Sequence, residues 1–303
     1  RLMAARLLDG RAIAKDIEDE VALRVAALRC GPPCLAVVLI GATEPARAYR
    51  RGIEAAAVRC GVAVRALELP AGGPPGEAFE QIARLNRDPA VHGILLKRPL
   101  PGQLGDEELL QALDPVKDVD GCHFQNLGRL VVWGARAGHV PCTPAGVLEI
   151  LRRSGIPTRG VHAVILGRSV TVGRPLANLL LQKDAWADAT VTLCHSSTRD
   201  LAEHTRRADL LVAAVGVPGF VSAGMVRPGA VVVDVGTNSV PDPSRKSGFR
   251  LVGDVDLESV RDVAAALTPV PGGVGPVTTA LLLQNLLDAA ELMTGSGSAP
   301  ERG

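Results

Sequence analysis

The chain has 303 residues, of which 47% are hydrophobic and 21% are charged, and its formal net charge is +1. This length predicts about two domains with substantial cores, and the near-neutral charge argues against nucleic acid or an anionic membrane as partner. No segment has transmembrane length without charge, glycine or proline, and the first ten residues lack the apolar run of a signal peptide. We therefore expect a globular protein of the cytoplasm.

Cysteine usage points to a reducing compartment. The six cysteines, at positions 30, 34, 60, 122, 142 and 194, form no CxxC pair and have no histidine spacing suited to zinc. They are interpreted as reduced, small hydrophobic residues, and a pairing of Cys30 with Cys34 is the weaker alternative. No metal site is predicted.

Helices and strands alternate in the first part of the chain. Apolar residues spaced by three and four predict a helix from Asp9 to about Arg29, and a continuous apolar run predicts a buried strand over Cys34–Ile40. A helix carrying Tyr49 comes next. Further predicted elements are a strand at 62–69, a helix at 77–86 and a strand at 91–96. This alternation is typical of a parallel α/β sheet.

A second alternating block begins near Thr143. The predicted elements are a helix at 144–154, a strand at 162–167, a helix ending near 182, strands at 190–194, 210–214 and 231–235, and a long apolar helix at 278–293. The tail, 295–303, is expected to be disordered. The fold class is therefore α/β, and the second block is a Rossmann-like unit.

The segment Thr268-Pro-Val-Pro-Gly-Gly-Val-Gly-Pro276 contains six prolines and glycines among nine residues. Prolines fix φ and glycines free the backbone, so the segment is expected to form neither a helix interior nor a central strand. A plain connector needs fewer such residues. We predict a shaped wall against which a flat ligand can lie, and a plain connector is the alternative.

A dinucleotide-binding turn is predicted between Gly167 and Pro175. Glycines at 167 and 173 would let a phosphate approach backbone N–H groups at a helix N-terminus. The spacing is not GxGxxG, and any βαβ unit can use glycine at such a turn. The next strand ends in Cys194-His-Ser-Ser-Thr198 without the acid that selects NAD, so with Arg168 nearby it favours NADP.

Three other segments carry candidate polar groups. The run Asp114–Gly121 contains three acidic residues in addition to Lys117. We interpret one of these carboxylates as a ligand for a polar heterocycle, and the alternative is that the whole run is a solvated turn. Lys97 follows an apolar strand, and its side chain is either a solvated stem or a partly buried group of lowered pKa. For the strand-end turns 233–238 and 253–256, the sequence supports a structural role and a ligand contact equally.

Seven motifs occur in one order along almost the whole chain. They are Lys117-Asp-Val-Asp-Gly121, Asn126-x-Gly128-Arg129, Pro141-Cys-Thr-Pro-x-Gly146, Gly167-Arg-Ser169 with Val172-Gly173-x-Pro175, Val233-Asp-Val-Gly-x-Asn238, Gly253-Asp-Val-Asp256 and Thr268–Pro276. With the Asp-Gly opening of the first helix, they resemble the methylenetetrahydrofolate dehydrogenase/cyclohydrolase family (FolD-type).

The resemblance implies two α/β lobes with a cleft between them. Residues 1–145 plus 279–303 would form the folate-binding domain, and 146–278 the Rossmann-like NAD(P)-binding domain. It also implies a cytoplasmic homodimer joined through the nucleotide-binding lobes. The implied reaction is hydride transfer from 5,10-methylenetetrahydrofolate to NADP⁺, followed by hydrolysis of the methenyl product to 10-formyltetrahydrofolate.

Residue roles follow from the same resemblance. Tyr49 would stack on the folate and Asp120 would hold the pterin ring, both acting with Lys97 as catalytic residues. The implied substrate-binding residues are Tyr49, Ile53, Lys97, Asp120, Pro269, Gly272, Gly273 and Pro276. The implied cofactor-binding residues are Gly167, Arg168, Ser169, Gly173, Ser196, Gly236 and Thr237, of which Arg168 and Ser196 would hold the 2′-phosphate and Gly173 would approach the pyrophosphate.

The sequence departs from the family pattern at two positions. The catalytic lysine expected four residues after the tyrosine is Ile53, and the glutamine of Gln-Leu-Pro-Leu-Pro is Lys97, followed by Arg98. In one interpretation Lys97 returns an ammonium group to the site, so that hydride transfer survives while hydrolysis is weakened or lost. In the other, the protein passes the one-carbon unit to another nucleophile, or binds folate without turnover.

Overall fold

The computed structural model describes residues 4–29, 31–101, 105–134, 138–245 and 248–295. These residues divide into two compact units: a six-stranded unit, made of residues 4–14 and 143–278, and a three-stranded unit, made of residues 15–142 and 279–295. The sequence placed the start of the chain with the folate-binding domain. Residues 4–14 instead belong to the six-stranded unit, because Arg6–Leu7 pairs with Ala266–Leu267.

Helices and strands alternate along most of the chain, as the sequence predicts. In chain order, the helices are α1 (Gly10–Ala27), α2 (Glu44–Cys60), α3 (Pro75–Arg87), α4 (Asp106–Gln111), α5 (Phe124–Trp133), α6 (Cys142–Arg153), α7 (Gly173–Leu180), α8 (Leu201–Thr205), α9 (Leu257–Val260) and α10 (Val274–Thr294). The strands are β1 (Arg6–Leu7), β2 (Cys34–Ile40), β3 (Ala63–Leu69), β4 (Gly93–Leu96), β5 (His162–Leu166), β6 (Thr190–Cys194), β7 (Leu210–Ala213), β8 (Val231–Asp234), β9 (Asn238–Pro241), β10 (Phe249–Val252) and β11 (Ala266–Leu267).

The three-stranded unit has a parallel sheet in the order β3-β2-β4. Every residue of the central strand β2 is buried, as its continuous apolar run predicts. Thr43 caps helix α2, and Gly61, with φ 71°, ends it in the left-handed conformation that favours glycine. Asn285 of α10 donates hydrogen bonds to the carbonyls of Val119 (2.9 Å) and Val140 (3.2 Å).

The six-stranded unit is a parallel sheet in the order β1-β11-β8-β7-β5-β6. The chain leaves β5 towards β6 on one side and returns to β7 on the other. Ligands of open α/β sheets bind at the carboxyl ends of strands beside such a reversal. Strands β9 and β10 form a separate antiparallel ribbon, which the sequence did not predict.

Helix α10 begins earlier than predicted. It starts at Val274, so the last three residues of the proline- and glycine-rich segment form its first turn. Pro276 is tolerated there because the first N–H groups of a helix have no partner within the helix. Only residues 268–273 form the loop.

Three further features concern the chain as a whole. The predicted disordered tail lies outside the described residues from position 296 onward. Among the described residues, no helix is both long and apolar enough to cross a membrane. Cys34, Cys60, Cys122, Cys142 and Cys194 are buried free thiols, and Cys30 lies outside the described residues.

Candidate active site and cofactor site

Tyr49, Lys97 and Asp120 come together in the three-stranded unit. Tyr49 lies on α2, and Lys97 directly follows β4, where its backbone N–H donates to the Val38 carbonyl (3.0 Å). The Lys97 ammonium lies 4.6 Å from the centroid of the Tyr49 ring, within the range of a cation–π interaction. Lys97 is therefore a half-buried group held on an aromatic face and not a solvated stem.

Burial and mutual charge perturb all three groups. Burial raises the pKa of Asp120 to about 6, and Asp118 acts in the same direction, while Arg98 and Lys97 oppose the shift. Burial lowers the pKa of Lys97, and the Asp120 carboxyl opposes this. Burial also raises the pKa of Tyr49, so its hydroxyl stays protonated at neutral pH. Lys97 and Asp120 are thereby brought towards the pH range in which proton transfer is efficient.

Ile53 adds apolar volume beside this cluster. Its side chain is fully buried, at 0% exposure. It lies four residues after Tyr49 on α2, and residues with this spacing share one face of a helix. Position 53, where the sequence resemblance implies a lysine, therefore offers no polar atom, and Lys97 is the ammonium group that contacts Tyr49.

The acidic run before Gly121 is not a solvated turn. Asp118 is buried and accepts hydrogen bonds from His123 N (2.7 Å) and Asn126 Nδ2 (3.0 Å). The Lys117 ammonium is also buried and donates to three backbone carbonyls, those of Leu85 (3.1 Å), Asn86 (2.8 Å) and Asp88 (2.8 Å).

Asp120 differs from its neighbours in the same run. Its carboxyl accepts a hydrogen bond from a thiol, because Cys122 Sγ lies 3.5 Å from Asp120 Oδ2. A thiol is a weak donor, so this carboxyl retains capacity to bind a ligand. Within the described residues, no three His, Cys, Asp or Glu side chains are grouped to hold a metal ion.

The turn after β5 has a backbone packed too closely for side chains. Gly167 has φ 111°, and a Cβ there would lie 2.1 Å from the Ala214 carbonyl oxygen. A Cβ on Gly173, at the start of α7, would lie 1.9 Å from the Gly167 oxygen. Ser169 Oγ accepts from Val172 N (3.1 Å) and Gly173 N (3.5 Å), which fixes the turn into the helix. This is the kind of glycine turn that brings a phosphate close to the main chain.

Arg168 and Ser196 follow the carboxyl ends of the neighbouring strands β5 and β6. Leu166 of β5 pairs with Cys194 of β6, so Arg168 and Ser196 each follow that pair by two residues. Both are exposed. The Ser196 turn is fixed at its base because His195 N donates to Thr198 Oγ1 (2.9 Å). A cationic and a hydroxyl side chain thus stand at the strand end where a 2′-phosphate would be recognised.

Two buried aspartates occupy the strand-end turns whose role the sequence left open. Asp234 Oδ1 accepts from Gly236 N and Asp254 N (both 2.9 Å), and its Oδ2 accepts from Val255 N (2.9 Å). Asp234 N in turn donates to Thr268 Oγ1 (2.8 Å).

Asp254 completes this network. Its Oδ2 accepts from Val215 N (2.6 Å) and Gly216 N (2.9 Å), and its Oδ1 accepts from Asn238 Nδ2 (2.8 Å). Gly236 is buried against Asp254, since a Cβ there would lie 2.3 Å from its Cγ, whereas Thr237 is exposed. The sequence suggested Gly236 and Thr237 as cofactor contacts, but it did not reveal that these aspartates organise their turn.

The proline- and glycine-rich loop packs on the start of α1. A Cβ on Gly10 would lie 1.8 Å from the Gly273 carbonyl oxygen. Gly272 has φ 111°, and its added Cβ would lie 3.2 Å from Arg11 Nε. The Asp-Gly opening of α1 is therefore explained by close backbone packing within the six-stranded unit. Pro269 and Pro276 lie at either end of this stretch, and both are half-buried.

The fold and the glycine turn define an α/β protein with a Rossmann-like dinucleotide-binding unit and a second, catalytic unit. Sequence profiles agree: the tetrahydrofolate dehydrogenase/cyclohydrolase catalytic domain matches residues 8–120, and the NAD(P)-binding domain of the same family matches residues 141–294. The chain belongs to the tetrahydrofolate dehydrogenase/cyclohydrolase family. The predicted family and fold class are confirmed.

Individual relatives cover nearly the whole chain. The bifunctional protein FolD of Salinibacter ruber is 49% identical over 96% of this chain and 98% of the relative. The bifunctional protein FolD of Prosthecochloris aestuarii is 46% identical over 93% of this chain and 97% of the relative. A crystal structure of the Trypanosoma brucei methylenetetrahydrofolate dehydrogenase-cyclohydrolase, complexed with NADP and an inhibitor, is similar with a TM-score of 0.91, 39% identity and coverage of 96% and 99%.

Proposed function

We propose that this chain is an NADP-dependent 5,10-methylenetetrahydrofolate dehydrogenase whose methenyltetrahydrofolate cyclohydrolase activity is weakened or lost. The observation that carries the proposal is the Lys97 ammonium on the Tyr49 ring, together with a helix position filled by the buried, apolar Ile53. The dinucleotide turn is complete in the same chain, which favours retention of hydride transfer over a purely binding role.

The six-stranded unit fits NADP. Glycine at positions 167 and 173 allows a close backbone turn in which a Cβ would collide with carbonyl oxygens, and α7 begins at Gly173, so the first N–H groups of this helix are placed next to the turn. Arg168 and Ser196 would hold the 2′-phosphate, and Ser169, Gly236 and Thr237 would contribute to the surrounding surface. When bound, the cofactor supplies the hydride acceptor, and the residues of the chain supply its position.

The three-stranded unit fits the reduced folate. Asp120 would bind the pterin ring through its carboxyl, and Tyr49 would stack on the folate. Because the Lys97 ammonium already covers one face of the Tyr49 ring, the folate is expected to use the other face. Pro269, Gly272 and Gly273 of the 268–273 loop, and Pro276 in the first turn of α10, would be further substrate-binding residues.

Hydrolysis makes a demand that hydride transfer does not. Hydride transfer requires two rings held in contact, whereas hydrolysis also requires an activated water and a proton delivered to a ring nitrogen. Ile53 can do neither. Lys97 reaches the cluster from the end of β4 and not from α2, so its ammonium approaches the folate along a different direction. We infer that it orients the substrate and transfers protons inefficiently.

The proposal includes a cytoplasmic homodimer joined through the NAD(P)-binding units. It is supported by the family membership of the chain alone. Sedimentation of the purified protein at micromolar concentration tests it, and a monomer would contradict it.

The test of the proposed function follows two products in one reaction. Purified protein is given 5,10-methylenetetrahydrofolate and NADP⁺, and the absorbances of NADPH and of methenyltetrahydrofolate are recorded together. We expect NADPH to rise while the methenyl product accumulates beyond its spontaneous hydrolysis. NADPH without accumulation would show that hydrolysis is intact. Absence of NADPH would favour transfer of the one-carbon unit to another nucleophile, checked by acceptor-dependent loss of the substrate.

The pH dependence of hydride transfer is expected to report Asp120. Its pKa is raised from 3.8 to about 6, so the carboxyl becomes protonated as the pH falls through that value. We expect kcat/KM to decline below about pH 6. Asp120→Asn should lower kcat/KM and abolish this pH dependence. If kcat/KM of the variant still declines below about pH 6, the decline belongs to another group.

The same pKa shift affects folding stability. Because the folded state holds this proton more tightly than the unfolded state, the contribution of Asp120 to stability falls as pH rises from 3.8 to about 6.

Arg168→Ala is expected to reduce discrimination between NADP⁺ and NAD⁺. A hydrogen bond to a charged group contributes about 1.5–3 kcal/mol, so KM for NADP⁺ should rise about tenfold to a hundredfold while KM for NAD⁺ changes little. Arg199→Ala, at an exposed position beyond the Ser196 turn, is the matched control. An equal change for both cofactors would contradict the assignment of Arg168 to the 2′-phosphate.

A further inference from the structure

Asp234 and Asp254 connect segments that are far apart in the sequence. Asp254 binds two residues that follow β7, Val215 and Gly216, and also Asn238 at the start of β9. Asp234 binds the turn after β8 and the turn after β10, and its own N–H is tied to Thr268. One pair of carboxylates therefore sets the loops at the carboxyl edge of the parallel sheet.

Two glycines pack closely against these carboxylates. A Cβ on Gly253 would lie 1.8 Å from Asp234 Oδ2, and one on Gly236 would lie 2.3 Å from Asp254 Cγ. Asp234 is 3% exposed and Asp254 is 0% exposed. Each carboxyl group accepts three N–H hydrogen bonds from donors within the same unit.

This network continues into the dinucleotide turn. The residue before Val215 is Ala214, whose N–H donates to the Leu166 carbonyl (2.9 Å) at the end of β5. A Cβ on Gly167 would meet the Ala214 oxygen at 2.1 Å, and one on Gly173 would meet the Gly167 oxygen at 1.9 Å. The backbone therefore runs in direct contact from the Asp254 carboxylate, through residues 214–216, to the start of α7. A displacement of residues 214–216 would be transmitted to the turn that approaches the phosphates.

We propose that Asp254, supported by Asp234, is a positioning residue for the dinucleotide: it fixes the β7 loop that forms the floor of the Gly167–Gly173 turn. The proposal rests on the proposed function only in taking NADP⁺ as the dinucleotide. Asp254 acts through backbone N–H groups and makes no contact of its own with the cofactor.

Asp254→Asn tests the proposal without a change in side-chain volume. The amide can still accept from Val215 and Gly216 through its oxygen, and its NH₂ group then meets Asn238, which must turn its own amide to present an oxygen. The two backbone N–H groups thereby lose a charged acceptor for a neutral one, and such hydrogen bonds are roughly half as strong, so the β7 loop should be held less firmly. We expect the Kd for NADP⁺, measured by titration calorimetry, to rise about tenfold or more, while KM for methylenetetrahydrofolate stays within about twofold.

The donor and acceptor can also be exchanged. In the double variant Asp254→Asn with Asn238→Asp, the new amide donates to the new carboxylate, and the total charge is that of the unaltered protein. We expect the double variant to reverse at least half of the change in log Kd for NADP⁺ that Asp254→Asn alone causes. A role confined to general stability predicts no such recovery when affinity is measured well below the melting temperature of every variant.

Asp209→Asn is the matched control. Asp209 accepts from His162 N (3.0 Å) at the amino end of β5, the end of the sheet opposite the cofactor. This variant should leave the Kd for NADP⁺ within about twofold of the unaltered protein. If Asp209→Asn and Asp254→Asn weaken NADP⁺ binding equally, the proposal is overturned.

The outcomes separate this proposal from the proposed function. NADP⁺ binding that depends on Asp254, in a protein without hydride transfer, supports the positioning role and contradicts the dehydrogenase. An active dehydrogenase whose Asp254→Asn variant binds NADP⁺ normally overturns the positioning role alone. Failure of the unaltered protein to bind NADP⁺ overturns both. If Asp254→Asn does not fold, Asn238→Ala removes one of the three donors to Asp254 and should weaken binding about threefold; unchanged affinity there overturns the proposal.

Discussion

Hydrolysis of methenyltetrahydrofolate is expected to rise about a hundredfold or more in the double variant Ile53→Lys with Lys97→Gln. The change restores an ammonium group on α2, one helical turn from Tyr49, and removes the competing ammonium from the end of β4. A positioned proton donor contributes about 10²–10⁴ to the rate of such a step, which sets the size of the expected gain.

Both substitutions are needed because the position of Ile53 is fully buried. Ile53→Lys alone would place a second ammonium beside Lys97 in a poorly solvated region, where like charges oppose one another. We expect that single variant to lose thermal stability. Glutamine at position 97 instead offers an amide oxygen that can accept from the new ammonium.

The control is Ile53→Met with Lys97→Gln, which supplies a long side chain without charge. The measurement is the decay of the methenyl absorbance in the absence of NADP⁺, so that hydrolysis is observed separately from hydride transfer. Hydrolysis that is no faster in the lysine variant than in the methionine variant would refute the claim that this pair of positions controls the second activity.

Gly173→Ala is expected to weaken NADP⁺ binding by up to about a hundredfold and to cost about 1–3 kcal/mol of folding stability. The added methyl group would lie 1.9 Å from the Gly167 carbonyl oxygen, which belongs to the main chain. This oxygen cannot move aside as the end of a flexible side chain would, so the start of α7 must shift away from the turn.

Gly76→Ala is the matched control for this prediction, because Gly76 also lies in the first turn of a helix, α3, and its added Cβ meets nothing within 4 Å. We expect unchanged NADP⁺ binding and a gain of about 0.4–1 kcal/mol in stability from the reduced freedom of the unfolded chain. Equal losses of affinity in the two variants would show that the effect of Gly173→Ala is not local.

Elements with a strong local pattern were predictable. The bounds of β2 and β6 agree with the sequence prediction because each is a run of β-forming residues closed by turn residues. The two-residue strands β1 and β11 have no such pattern. Their pairing depends on contacts between the beginning and end of the chain, which local sequence patterns cannot supply.

The polar groups also divide into those that local sequence predicts and those that only the folded chain brings together. The glycine turn at Gly167 was predictable because a strand, glycines and a helix follow one another in sequence. The network of Asp234 and Asp254 was not, because its donors come from the segments after β7, β8 and β10. The place of Lys97 beside Tyr49 also could not follow from spacing: the two residues lie on different elements and meet only in the folded three-stranded unit.

The interleaved course of the chain has a consequence for biosynthesis. Arg6 leaves the ribosome early but pairs with Ala266, and the carbonyls of Val119 and Val140 receive their hydrogen bonds from Asn285. Neither unit can be completed by a nascent chain that lacks these late residues. Prematurely terminated chains would display unfinished sheet edges and apolar surface, and we expect them to be clients of chaperones and proteases.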